Sequence, residues 1–184
     1  MDKRLLVAAA FGVVAGAASA ANPTGVVNSS SIPGVTFAQY AGAGPLGQGA
    51  VDANTLFFVD EQTGALGKSW YVFYDPEFAA GLTATITFDS TITGVFSTKS
   101  ALDGSNAAYG APGVTYGTHT YIGLEPSDVY AFSGNTLTIH WISADPGDHI
   151  RVFTSPVPEP TTAALLAAGL LAVGFAARRR APRR

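Results

Sequence analysis

Between residues 55 and 154 the apolar side chains of this chain recur at every second position, a spacing that fits β-strands and not helices. The clearest case is Leu82-Thr83-Ala84-Thr85-Ile86-Thr87-Phe88. Leu82, Ala84, Ile86 and Phe88 point to one side of an extended chain and the three threonines to the other, the signature of a strand that buries one face. In 136–143, Leu137, Ile139 and Trp141 take the core side, and His140 falls with Thr138 on the solvent side. Further strands are expected at 55–59, 69–74, 92–96, 120–124, 129–132 and 149–154, each rich in aromatic and β-branched residues and bounded by Gly, Pro or Asp. Between the last two, Ala144-Asp145-Pro146-Gly147-Asp148 reads as a tight turn, with Gly147 free to take a positive φ. Helical periodicity is absent, so no helix beyond about two turns is expected, and 97–118, rich in Gly, Ala, Ser and Asn, reads as irregular. Short strands in this number define an all-β fold, a single antiparallel β-sandwich of jelly-roll or immunoglobulin-like kind over 51–155. Its core should include Leu82, Ile86, Phe88, Leu137, Ile139 and Trp141. Residues 21–50, rich in Gly, Pro, Ser and Asn, read as a lead-in with one strand at 35–40.

Both ends of the chain carry apolar segments with cationic flanks. Lys3 and Arg4 precede the apolar run 5–15, and Ala18-Ser19-Ala20 supplies a small-residue cleavage pattern, so 1–20 reads as a signal helix removed after Ala20. At the other end, 156–184 has three parts. Pro156, Pro158 and Pro160 keep the chain extended around Glu159. Residues 161–177 are uncharged and carry Leu165, Leu166, Leu170, Leu171 and Phe175; as a helix they rise about 26 Å, at the short end of what spans a bilayer. Arg178, Arg179, Arg180, Arg183 and Arg184 follow as a basic stop that stays cytoplasmic. A buried core helix would not run so long without a polar residue and then end in arginines. A plain membrane anchor remains as an alternative.

The order of Pro158-Glu159-Pro160, an apolar helix over 165–175 and the basic end 178–180 resembles the PEP-CTERM sorting signal of Gram-negative bacteria. The resemblance implies that a membrane-embedded exosortase recognises and cleaves the segment. It further implies that the precursor sits transiently in the inner membrane, and that the product reaches the cell surface or an exopolysaccharide-rich, biofilm-type matrix. The added Ala181-Pro182-Arg183-Arg184 departs from the family pattern and leaves the exact end of the signal open. Short ectodomain blocks such as Gly134-Asn135-Thr136-Leu137 and Pro146-Gly147-Asp148-His149 also look like those of other PEP-CTERM proteins, a diffuse likeness that bears on fold alone.

Removing both ends exposes the charge of what lies between. Residues 21–156 hold 3 Lys or Arg against 11 Asp or Glu, a net charge of −8. An acidic surface repels phosphate backbones, which argues against nucleic acid as a partner. With no cysteine, an exported domain has only its core to hold it.

Catalytic residues are not expected: there is no cysteine nucleophile, no G-x-S-x-G elbow, no H-E-x-x-H pair and no P-loop. Gly42-Ala43-Gly44-Pro45-Leu46-Gly47 satisfies G-x-G-x-x-G in form, but Pro45 interrupts it and no helix follows. His119, His140 and His149 lack ligand spacing for zinc. Asp75 with Glu77, or Asp145 with Asp148, would suit a glycosidase only at the right separation. No metal site is assigned; the weak candidates are Asp103 and Asn106, which flank Gly104 in a loop suited to Ca²⁺ and equally explained by side-chain turns. The run Trp70, Tyr71, Phe73 and Tyr74 offers rings to a sugar or to the core. The sequence thus points to a non-enzymatic exported surface protein, with a carbohydrate-binding, Ca²⁺-assisted module as the alternative.

Overall fold

In a computed structural model of the chain, residues 20–42, 44–47, 51–156, 166 and 168–173 are described. The chain divides into two units, 20–157 and the two ends 1–19 with 158–184. All the described strands belong to the first. In chain order they are β1 (Thr24–Ser29), β2 (Thr36–Gln39), β3 (Thr55–Gly64), β4 (Gly67–Tyr74), β5 (Ala80–Thr87) and β6 (Ile92–Phe96), then helix α1 (Lys99–Tyr109), then β7 (Val129–Ser133), β8 (Thr136–Ser143) and β9 (Asp148–Thr154).

The strands form two sheets, ordered β1-β5-β8-β7 and β2-β3-β4-β9-β6. One core lies between them. Leu56 and Phe58 of β3, Trp70, Val72 and Tyr74 of β4, and Ile150 and Val152 of β9 meet Leu82, Ala84 and Ile86 of β5 and Leu137, Ile139 and Trp141 of β8. The six residues expected in the core, Phe88 included, are all at most 4% exposed. In β5 and β8 the alternation is clean, with Thr83, Thr85, Thr87, Thr138 and His140 on the open face.

The five-stranded sheet differs because its outer face is covered too. A second buried cluster of Val59, Tyr71, Phe73, Leu46, Leu102 and Ile122 fills the space under α1 and the loops around it. Every residue of β9 is therefore buried, with Ile150 and Val152 facing the inner core and Arg151 and Phe153 the outer layer. Tyr109 and Phe96 pack edge-on against Phe153, with centroids at 4.9 and 4.8 Å.

Several expectations are corrected. The stretch read as irregular contains α1, three turns long, and not a helix of two turns at most. Its composition is poor for a helix, and what forms it is one buried stripe, Leu102, Ser105 and Tyr109, laid on the sheet, with Thr98 accepting from the Ala101 amide at the N-cap. Residues 120–124 are no strand: Ile122 N–H turns back to the His119 carbonyl, and Gly123 takes φ +122°. The lead-in contributes two strands, β1 on β5 and β2 on β3, so the sandwich-like unit starts well before residue 51. The sheets are not wholly antiparallel, since β2 and β3 run parallel, joined by the long crossover 40–54 that such a pair requires.

Candidate functional site

The outer layer of the five-stranded sheet holds one fully buried ion pair. Where the β3–β4 register slips between Asp60 and Thr63, Glu61 turns inward and meets Arg151 of β9 in a two-pronged contact. Nε donates to Oε2 and Nη2 to Oε1, each at 2.7 Å. The Tyr116 hydroxyl donates to Oε1 and the Ser69 hydroxyl to Oε2, so both carboxylate oxygens are saturated. Arg151 spends its remaining donors on α1: Nη1 on the Leu102 carbonyl and Ser105 Oγ, and Nη2 on Asn106 Oδ1. Its guanidinium also stacks near the rings of Tyr71 and Tyr116. Burial alone would lower the Arg151 pKa, but the bonds and charge of Glu61 outweigh it and raise it, so Arg151 stays charged. The two charged side chains are closed to solvent, and the network binds the helix to the sheet.

A different acidic group occupies the end of the sheet where β4 finishes and β9 begins. Asp128 sits just before β7; its Oδ1 accepts from Ile142 N–H at 2.8 Å and its Oδ2 from Glu125 N–H at 3.2 Å. Asp148 opens β9, held by its amide donating to Ser143 Oγ, which in turn donates to the Tyr74 carbonyl. The Gly123 carbonyl accepts from His149 N–H and draws the 123–128 segment onto β9. Carboxylate oxygens of Glu125, Asp128 and Asp148 consequently lie within 4.8 Å of one another. Asp148 is 1% exposed, and its Oδ2 has no hydrogen-bond partner. Burial first, then the Glu125 carboxyl and the Asp128 charge, push Asp148 well above the usual carboxylate range.

Beside it, Asp75 is buried, and neither of its carboxylate oxygens has a well-formed hydrogen bond. Burial raises its pKa to about 6, with the charges of Asp145 and Asp52 adding to it and the Val51 and Asp52 amides opposing it. Gly147 is required here. Its φ is +86°, and a Cβ would lie 2.6 Å from the Tyr74 carbonyl oxygen. His149 is buried against Phe73, donates from Nε2 to the Pro146 carbonyl at 2.9 Å, and is held neutral by burial, its pKa lowered to about 4.

The sequence-expected sites fall out unevenly. Asp103 and Asn106, the weak Ca²⁺ candidates, lie in α1 and not in a loop; Asp103 pairs with Lys99 at 2.7 Å, and Asn106 serves Arg151. Trp70, Tyr71, Phe73 and Tyr74 are all at most 1% exposed, so both faces of that strand are core and none of these rings is presented to a sugar. The carboxylates are regrouped: Asp75 feels Asp145 and Asp52, while Asp148 joins Glu125 and Asp128. Glu61, Arg151, Glu125 and Asp128 went unremarked in the sequence. Arg151 had a signal, as one of three basic residues in the domain and set between apolar neighbours.

Ala18 at the signal cleavage site, Pro158, Glu159, Pro160, Leu165, Phe175, Arg178, Arg179 and Arg180 lie outside the described residues. Leu166, Leu170, Leu171 and Val173 are helical and each more than three-fifths exposed. Among the described residues no helix is long and apolar enough to cross a membrane.

Fold and C-terminal segment together define a β-rich domain carrying an address at its end. Residues 156–180 match the family model described as the PEP-CTERM protein-sorting motif, so the chain carries this motif and is directed to exosortase as an exported, membrane-sorted precursor. No curated protein and no solved structure matched the chain.

Proposed function

We propose that this is a non-enzymatic protein of the cell surface or extracellular matrix. Its folded domain is exported, held at the inner membrane through 161–177, and released when exosortase cuts the Pro158-Glu159-Pro160 segment. The observation that carries this reading is the sorting motif at 156–180, which begins directly after β9 ends at Thr154. β9 is hydrogen-bonded to β4 on one side and β6 on the other, so a cut within the motif leaves the domain whole and a cut before it would strip a central strand. The exposed Leu166, Leu170, Leu171 and Val173 supply apolar surface that a bilayer accommodates better than water does. For the non-enzymatic part, the support is that Glu61 and Arg151 are buried and spent on each other, and that His149 is buried and neutral.

The second reading is carbohydrate binding, as part of an exopolysaccharide matrix. With the aromatic run in the core, a sugar would sit on the open face of the four-stranded sheet. There Asn28, Ser29, Ser30, Thr83 and His140 line a shallow depression of hydrogen-bonding groups.

Glu159→Ala, made in a host with exosortase, separates sorting from plain anchoring, because helix length and basic stop are untouched. The variant is expected to accumulate uncleaved in the inner membrane while the parent leaves it. Equal distribution of the two contradicts the sorting role.

A further inference from the structure

We propose that Glu125, Asp128 and Asp148 hold a Ca²⁺ ion that clamps the two sheets together at one end of the domain. The first ground is a buried carboxyl among other acids: Asp148 is 1% exposed, its Oδ2 is without a partner, and one of its carboxyl oxygens lies within 4.8 Å of one each from Glu125 and Asp128. Ionising a carboxyl so placed takes a compensating positive charge. The second is that the domain has none to offer. Residues 21–156 contain Lys68, Lys99 and Arg151 as their only Lys or Arg, and these pair with Asp60, Asp103 and Glu61.

The donor set selects the metal. Three carboxylates and no nitrogen or sulfur suit a hard cation, which argues against zinc and copper. Carboxylate oxygens no more than 4.8 Å apart lie within reach of Ca²⁺, whose opposite ligands sit about 4.6 to 5.2 Å apart and whose flexible geometry accepts an irregular donor set more readily than octahedral Mg²⁺ does. Glu125 is exposed and leaves the remaining coordination positions open to water. Asp128 belongs to the four-stranded sheet through its bond to Ile142 of β8, and Asp148 to the five-stranded sheet through β9. A shared ion would tie those sheets where no other cation does. The inference is independent of the sorting reading.

The test is thermal unfolding of the full-length chain in detergent, in EDTA and then in CaCl₂ or MgCl₂ alone. With an affinity typical of extracellular modules, about 5 mM CaCl₂ raises Tm by about 3 to 6 °C, EDTA reverses the rise, and MgCl₂ gives less than half of it. Glu125→Gln changes an exposed side chain and folds, and Asp148→Asn removes the unpartnered oxygen; both abolish the Ca²⁺ response. No response in the parent, or an undiminished one in Glu125→Gln, overturns the site. An equal response to Mg²⁺ overturns the assignment to Ca²⁺.

Discussion

Two buried carboxylates in the same five-stranded sheet are treated in opposite ways. Glu61 has its charge met by Arg151 and both oxygens saturated by four donors, whereas Asp148 faces two more carboxylates and keeps one oxygen unpartnered. Burial is nearly complete at both, so desolvation does not separate them. What differs is the compensating charge: the chain supplies it at Glu61, and at Asp148 we propose that the solution does. One site is architecture that fastens α1; the other, on that proposal, is a receptor whose stability depends on Ca²⁺.

The largest effect should come from breaking the internal pair. Arg151→Met leaves Glu61 buried without its cation and unfastens α1, and urea unfolding should show a loss of about 3 to 5 kcal/mol. Adding Glu61→Leu should restore part of it; no restoration would mean that Arg151 acts through α1 alone. Asp75 comes next. Its folded pKa, near 6, lies above its unfolded value, so its contribution is most favourable below pH 4 and is lost as pH rises to about 6. Asp75→Asn should therefore be more stable than the parent by about 1 to 2 kcal/mol at pH 7.5 and equal to it near pH 4, read from denaturant midpoints at both. In EDTA at pH 9, above the pKa of about 8 to which Asp148 is pushed, Asp148→Asn should stabilise by about 1 kcal/mol, opposite in sign to Arg151→Met, because it removes a buried charge set beside two other carboxyl groups. Smallest is Thr98→Ala, expected to cost about 0.5 to 1 kcal/mol by loss of the cap. A larger cost would show that α1 is held by its own N-terminus more than by Arg151.

How much of this was legible in the sequence depends on how many faces each strand buries. β5 and β8 have one face in the core and one in water, so their alternation gave both the strands and the core residues Leu82, Ile86, Leu137 and Trp141. β4 and β9 are covered on both sides, which erases alternation, and the placement of Trp70, Tyr71, Phe73 and Tyr74 could not be read from spacing. α1 was hidden because Gly104, Ser105 and Asn106 are weak helix formers; it is held by its buried stripe on the sheet and by Arg151, and sheet and arginine are both remote from it in sequence. β1 was hidden for a similar reason, since Thr24–Ser29 becomes a strand through pairing with β5. The acidic cluster joins a turn at 125–128 to the start of β9, and no local pattern encodes that meeting. The C-terminal motif was legible in type, though not in its exact end, because a sorting signal is read in order along the chain and not through folding.

The central claim is that a whole β-rich domain is delivered by removal of the signal that directly follows it. Mass spectrometry of the C-terminus of the protein from its own exosortase-bearing host tests it most directly. The account predicts an end beyond Thr154 and short of Arg184, leaving β9 complete and the basic tail gone. A mature protein that retains Arg184, or one that ends inside β9, would contradict it.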